Sequence, residues 1–124
     1  MAQGTVVVGT ITRDFVRSPA VVLDGVMGGS ASYFALAARH FGPVTVVASV
    51  GRDVELEARQ TLAFADLRAL SVVDAPTYQW HARRATPSGD AETTRRFIGA
   101  TDGYRPSLTK AESWARVVFL GSCD

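Results

Sequence analysis

The sequence is poor in the residues from which disulfide scaffolds, metal centres and membrane spans are built. A single cysteine, Cys123, excludes an intramolecular disulfide framework and any zinc site made of several cysteines. His40 and His81 are the only histidines, too few for a histidine-rich metal site. No apolar stretch approaches the roughly 20 residues that cross a bilayer, and the N-terminus lacks the basic start and apolar core of a secretory signal. The expectation is therefore a cytoplasmic chain with no membrane partner. Charge of one sign is missing as well: 13 basic residues stand against 12 acidic ones, for a net charge of +1, which argues against a general nucleic-acid partner. Two phosphate-binding signatures are absent, Gly-x-x-x-x-Gly-Lys-Ser/Thr and a Gly-x-Gly-x-x-Gly after the first strand, so the familiar mononucleotide and dinucleotide readings lose support.

What the chain does contain is core material. With 124 residues, 47% apolar and 20% charged, it suits one domain that buries roughly two-thirds of its unfolded surface, and it is too apolar for disorder. Three β-branched runs, Thr5 to Val8, Val44 to Val50 and Val117 to Leu120, each lead directly into a glycine, Gly9, Gly51 and Gly121. Continuous apolar runs suit strands buried on both faces of a parallel sheet, and the glycines mark their carboxyl ends, the edge where open α/β sheets bind ligands. A helix is expected from Ser30 to Phe41, with Ala31, Phe34, Ala35, Ala38 and Phe41 on one face and Gly42-Pro43 as its stop. A second is expected from Val54 to Leu70, with Asp53 as N-cap and Leu56, Ala63, Leu67 and Leu70 as its buried stripe. This alternation predicts βαβ units and an α/β fold. Thr77 to Arg84 and Glu92 to Ile98 flank the turn signal Pro87-Ser88-Gly89-Asp90 and predict a hairpin outside the central sheet. Trp114 is expected to anchor the segment from Lys110 to Arg116 on the core.

Few residues are placed to carry chemistry. Gly28-Gly29-Ser30 opens the first helix, where glycines expose backbone N–H groups and the helix N-terminus favours anions or hydroxyl oxygens; a plain helix start with Ser30 as cap explains the same residues equally well. Asp14, shortly after the Gly9-Thr10 strand end, could accept hydrogen bonds from sugar hydroxyls, with Thr12 adding a hydroxyl; the alternative is a surface-loop aspartate. Gly28 to Ser32 comes within one residue of a Gly-x-Ser-x-Gly nucleophile elbow, but Asp24 to Met27 makes a poor leading strand and the later histidine, His81, lies in the hairpin. His40 suits a dipole partner at a helix end. The hairpin's arginines and aromatics read as a solvated face, or as a flap whose Trp80 or Tyr78 covers the apolar side of a sugar.

Taken together, Val6-Val7-Val8-Gly9-Thr10-Ile11-Thr12-Arg13-Asp14, Gly28-Gly29-Ser30-Ala31-Ser32-Tyr33-Phe34 and Val46-Val47-Ala48-Ser49-Val50-Gly51-Arg52-Asp53 resemble the N-terminal part of the ribokinase-like carbohydrate kinases of the PfkB family. The closing Val117 to Gly121 also fits. The resemblance implies a three-layer α/β/α domain with a mainly parallel sheet and a small β lid, residues 1–124 being the N-terminal portion and about 76–99 the lid hairpin. It implies an ATP- and Mg2+-dependent transfer of phosphate to a hydroxyl of a sugar or nucleoside-like substrate. Asp14, Gly28 and Gly29 would hold the hydroxyls of a small sugar or related polyol, supported by Ser30, Thr12 and Trp80. In such kinases lid strands close over the substrate and often form a dimer interface, so a homodimer through the lid is a further implied partner. Ser30 and Tyr33 stand where ribokinases commonly carry lysine and asparagine, and Thr12 replaces a frequent asparagine, which points away from ribose toward another substrate branch. The family's Gly-Ala-Gly-Asp anion hole and base aspartate have no counterpart here, so no catalytic residue is assigned and this portion alone is expected to be inactive. The competing expectation is a non-catalytic sugar-binding or dimerising module.

Overall fold

In the computed structural model, residues 4–108 and 115–122 are described. The expected roles of Trp114 and Cys123 lie outside them. The body is a parallel sheet built from β1 (Thr5–Val8), β4 (Val44–Gly51), β5 (Leu70–Val73) and β8 (Val117–Leu120), in the spatial order β5-β4-β1-β8. The β-branched runs explain the inner strands β1 and β4, because side chains of successive residues leave opposite faces and both faces are covered there; β8, expected to be buried in the same way, lies at the sheet edge and leaves Val117, Val118 and Leu120 exposed. Val7, Val46, Ala48 and Val50 point into a core shared with α1 (Ser30–Ala38) and α2 (Arg52–Thr61). Val6, Val8 and Val47 point the other way, into a smaller cluster with Ala69 and Ala115. The first helix begins where expected, but its last turn, Arg39–Phe41, tightens to a 3-10 helix that includes His40 and ends at Gly42.

The second helix is shorter than its apolar spacing suggests, and it begins two residues earlier. The buried stripe is Val54, Ala58 and Leu62, while Leu56 is 69% exposed. Beyond Leu62 the sheet edge takes over: the Asp66 N–H donates to the Val44 carbonyl at 2.8 Å, and the Asp66 carbonyl accepts from the Val46 N–H at 3.1 Å. These ladder bonds draw the chain out of the helix, so Leu67 and Leu70 pack on the core from a turn and from β5 rather than from a helix. Asp53 is not the N-cap either. Gly51 occupies that position, and the Asp53 carboxylate accepts from the Thr77 N–H at 3.0 Å and the Thr77 hydroxyl at 2.7 Å.

The hairpin expected as a lid is part of a larger sheet, called the lid below. Its expected strands are present as β6 (Tyr78–Arg83) and β7 (Glu92–Phe97), but β2 (Thr12–Arg17) and β3 (Val22–Gly28) join them in a second sheet of order β3-β2-β6-β7. β2 runs parallel to β6 and antiparallel to β3. The stretch Asp24 to Met27, a poor strand by composition, is a strand with a bulge: the register slips between Asp14 and Phe15, and Gly25 takes φ 80° there, a conformation that glycine adopts without steric cost.

The α2 assignment has a direct test. Leu62→Ala is expected to destabilise the chain by about 2–5 kcal/mol and Leu56→Ala by no more than about 0.5 kcal/mol, measured by denaturant unfolding. Equal losses at the two positions would contradict the stripe described above.

Candidate functional site

The two sheets meet at the carboxyl ends of β1 and β8, and a cleft of about 300 Å³ opens there. Strand register builds its lid side. Thr12 lies beside Gly28 of β3 and Tyr78 of β6, and two residues on Asp14 lies beside Val26 and Trp80. Residues two apart share a face, so Thr12, Asp14, Tyr78 and Trp80 all line the cleft. The body side comes from the start of α1, with Gly29, Ser30 and Tyr33, and from the residues just past β1 and β8, Thr10 and Ser122. Of the residues expected from sequence, Thr12, Asp14, Gly29, Ser30 and Trp80 line the cleft; Gly28 does not, but it backs Asp14 directly.

Among the described residues Asp14 is the only charged one lining the cleft, and it sits in a strand rather than in an exposed loop. It is buried, and Thr12 Oγ1 donates to its Oδ1 at 2.6 Å. Burial pushes the Asp14 carboxyl above the ordinary aspartate value, and the Thr12 hydroxyl bond partly opposes that rise. The glycines are explained by crowding. A Cβ on Gly28 would collide with the Asp14 carboxylate; one on Gly29, whose φ is 97°, would run into the Thr10 carbonyl. The Gly-Gly pair thus allows helix, strand and carboxylate to approach one another more closely than side chains would permit.

Ser30 is neither the cap nor a reactive nucleophile. Gly29 is the N-cap, and the Ser30 hydroxyl accepts from the Thr10 N–H at 3.2 Å and donates to the Ser122 carbonyl at 3.2 Å, joining the ends of β1 and β8 to the helix. His81 lies on the other face of the lid sheet, stacked on Phe15 with ring centroids 4.4 Å apart, because alternation along β6 sends it opposite to Trp80. A serine–histidine pair is therefore not formed. Thr10 and Ser122 were not singled out in the sequence; the signal for both is that they immediately follow the strand-ending glycines Gly9 and Gly121.

No family model and no curated protein matches the chain. Solved structures do. A nucleoside kinase from Methanocaldococcus jannaschii, an archaeal member of the ribokinase family, superposes with a TM-score of 0.69 at 14% identity, over 99% of this chain and 46% of its own. Ribokinase from Arabidopsis thaliana, solved with ribose and ATP, gives 0.68 at 20% identity over 97% of this chain and 45% of its own. Ribokinase from Cryptococcus neoformans var. grubii serotype A, solved with ADP, gives 0.68 at 20% identity over 94% and 41%. The chain has the ribokinase fold. It spans less than half the length of each of these kinases.

Burial of Asp14 makes stability depend on pH in an unusual direction. Its pKa is higher folded than unfolded, so between those two values the native state binds more protons and stability falls as pH rises. Asp14→Asn removes the buried charge and is expected to raise the thermal midpoint by a few degrees at pH 7, with the gain shrinking as pH falls toward the aspartate range. A variant less stable than wild type at pH 7 would mean that the carboxylate is better satisfied than its burial implies.

Proposed function

We propose that the chain is the acceptor-binding, N-terminal portion of a PfkB-type carbohydrate kinase. The complete protein would transfer phosphate from ATP to a hydroxyl of a small sugar or nucleoside-like polyol. The observation that carries this reading is the buried Asp14 in a cleft between parallel sheet and lid, within the ribokinase fold. A carboxylate is an acceptor with several lone-pair sites, which suits it to the adjacent hydroxyl donors of a polyol. Trp80 and Tyr78 offer ring faces to the apolar side of such a ligand, and Thr12 holds the carboxylate in place. Related folds have been solved with ribose and, in a Burkholderia thailandensis nucleoside kinase, with inosine, which supports an acceptor of this size.

The donor half is a different matter. The cleft has one carboxylate and no lysine or arginine among its lining residues, and the described residues include no group of three or more histidine, cysteine, aspartate or glutamate side chains. Those residues do not fit a magnesium–triphosphate site. Phosphoryl transfer relies on positioning and charge neutralisation of the transferred group, so the groups that perform it would belong to the part of the kinase that this chain does not span. The role proposed for this chain is therefore to bind and orient the acceptor. In the region about 76–99, β6 and β7 act with β2 and β3 as a lid over that acceptor.

Among the described residues no helix is long and apolar enough to cross a membrane. Titration calorimetry with ribose, fructose and inosine tests the acceptor reading. One of the three is expected to bind, and Asp14→Ala is expected to weaken that binding at least about tenfold, the loss typical of removing a charged hydrogen-bond partner. Absence of binding together with concentration-dependent dimerisation would favour the non-catalytic interaction module.

A further inference from the structure

Resting on that acceptor site, we infer that the cleft selects an uncharged polyol and rejects anionic ones, sugar phosphates and sugar acids, and that Asp14 and Thr10 set this preference. Three observations carry the inference. First, among the described residues the only formal charge on the cleft lining is the carboxylate of Asp14, and that lining holds no lysine, arginine or histidine. An anion entering there meets like charge in a partly desolvated setting, where the repulsion is several times stronger than in water.

Second, two of the N–H groups at the start of α1 that could have offset that charge already have partners. A helix N-terminus binds anions through N–H groups that lack partners. At α1 the Ser30 N–H donates to Thr10 Oγ1 at 3.4 Å and the Ala31 N–H donates to the Thr10 carbonyl at 2.9 Å. Thr10 thus occupies the place where a phosphate oxygen would bind. A helix N-terminus such as that at Gly28-Gly29-Ser30 favours anions or hydroxyl oxygens; the two bonds to Thr10 favour hydroxyls.

Third, the basic residues on the lid strands, Arg96 excepted, are turned to the opposite face. Arg13, between Thr12 and Asp14 in β2, projects from the opposite face toward Asp53 at 3.9 Å. Arg95 lies over the Phe97 ring, 4.3 Å from its centroid, and Arg83 pairs with Glu92 at 3.6 Å. Arg96, paired with Trp80 across β6 and β7, is exposed and stands outside the lining. The remaining contributors are hydroxyls and rings, which hydrogen-bond and stack without demanding ligand charge.

Quenching of tryptophan fluorescence on titration reads binding, with ribose, fructose and inosine compared with ribose 5-phosphate, fructose 6-phosphate and gluconate. The uncharged member that binds is expected to do so at least about tenfold more tightly than any anionic member. Asp14→Asn should narrow that gap, because it removes the repelling charge while weakening the hold on hydroxyls. An anionic ligand that binds wild type as tightly as an uncharged one would overturn the inference while leaving the acceptor site standing. A gap unchanged in Asp14→Asn would also overturn it, since the discrimination would then come from elsewhere. If no ligand of either set binds, the acceptor reading itself fails and this inference fails with it.

Discussion

The structure depends on a change of sheet made in very little chain. The polypeptide leaves the parallel body at Val8 and enters the lid at Thr12; it leaves the lid at Gly28 and starts α1 at Ser30. The two crossings lie against each other, held by the Ala31 N–H bond to the Thr10 carbonyl at 2.9 Å and by the Ser30 hydroxyl between Thr10 and Ser122. Only glycine fits at position 29, where φ is 97° and the Thr10 carbonyl occupies the space a side chain would need. Close packing of backbone against backbone fixes the angle between body and lid, and the cleft is the space left over.

The same junction explains the chemistry available. Because β2 starts immediately after the crossing, Thr12 and Asp14 are the first two lid residues to face the body, and β6 pairs with β2 so that Tyr78 and Trp80 fall beside them. Asp14 is left buried with a single neutral donor rather than a cation. Natural proteins keep such a group where function needs it, since burial of an unpaired charge costs stability. On the far face of the same sheet, His81, Phe15 and Phe97 pack ring against ring with Arg13 and Arg95 above them. One four-stranded sheet therefore carries a cleft-side face with Thr12, Asp14, Tyr78 and Trp80 and a far face with stacked rings and arginines, separated only by the period of two along each strand. A second tie, from Asp53 at the start of α2 to Thr77 just before β6, fixes the other end of the lid to the body.

Much of this was legible in the sequence, unevenly and for definite reasons. β1 and β4 declared themselves because strands buried on both faces read as unbroken β-branched runs closed by glycine; β8 carries the same kind of run but leaves Val117, Val118 and Leu120 exposed. The β6–β7 hairpin was marked by its turn residues. β2 and β3 were not legible: the face of β2 toward the cleft carries Thr12 and Asp14, polar residues that look like loop, and the bulge at Gly25 breaks the alternation of β3. The extent of α2 was misjudged because Leu67 and Leu70 continue a helical spacing while Asp66 pairs with the sheet; local periodicity lost to a long-range ladder. Asp14, Gly29, Ser30, Thr12 and Trp80 could be named from spacing and from the kinase resemblance. Thr10 and Ser122 had only their place after Gly9 and Gly121 to mark them, and their contacts depend on how the strand ends meet α1.

The central claim is that the face of the lid carrying Asp14 and Trp80, rather than the face carrying His81, receives a polyol. Amide and indole chemical shifts on titration with ribose, fructose and inosine measure this most directly. The Trp80 indole and the Gly28, Gly29 and Thr12 amides are expected to shift together with saturable dependence on ligand, while Phe15, Arg83 and Phe97 stay put. Shifts confined to the His81 face, with the Gly28-Gly29 amides unmoved, would contradict it.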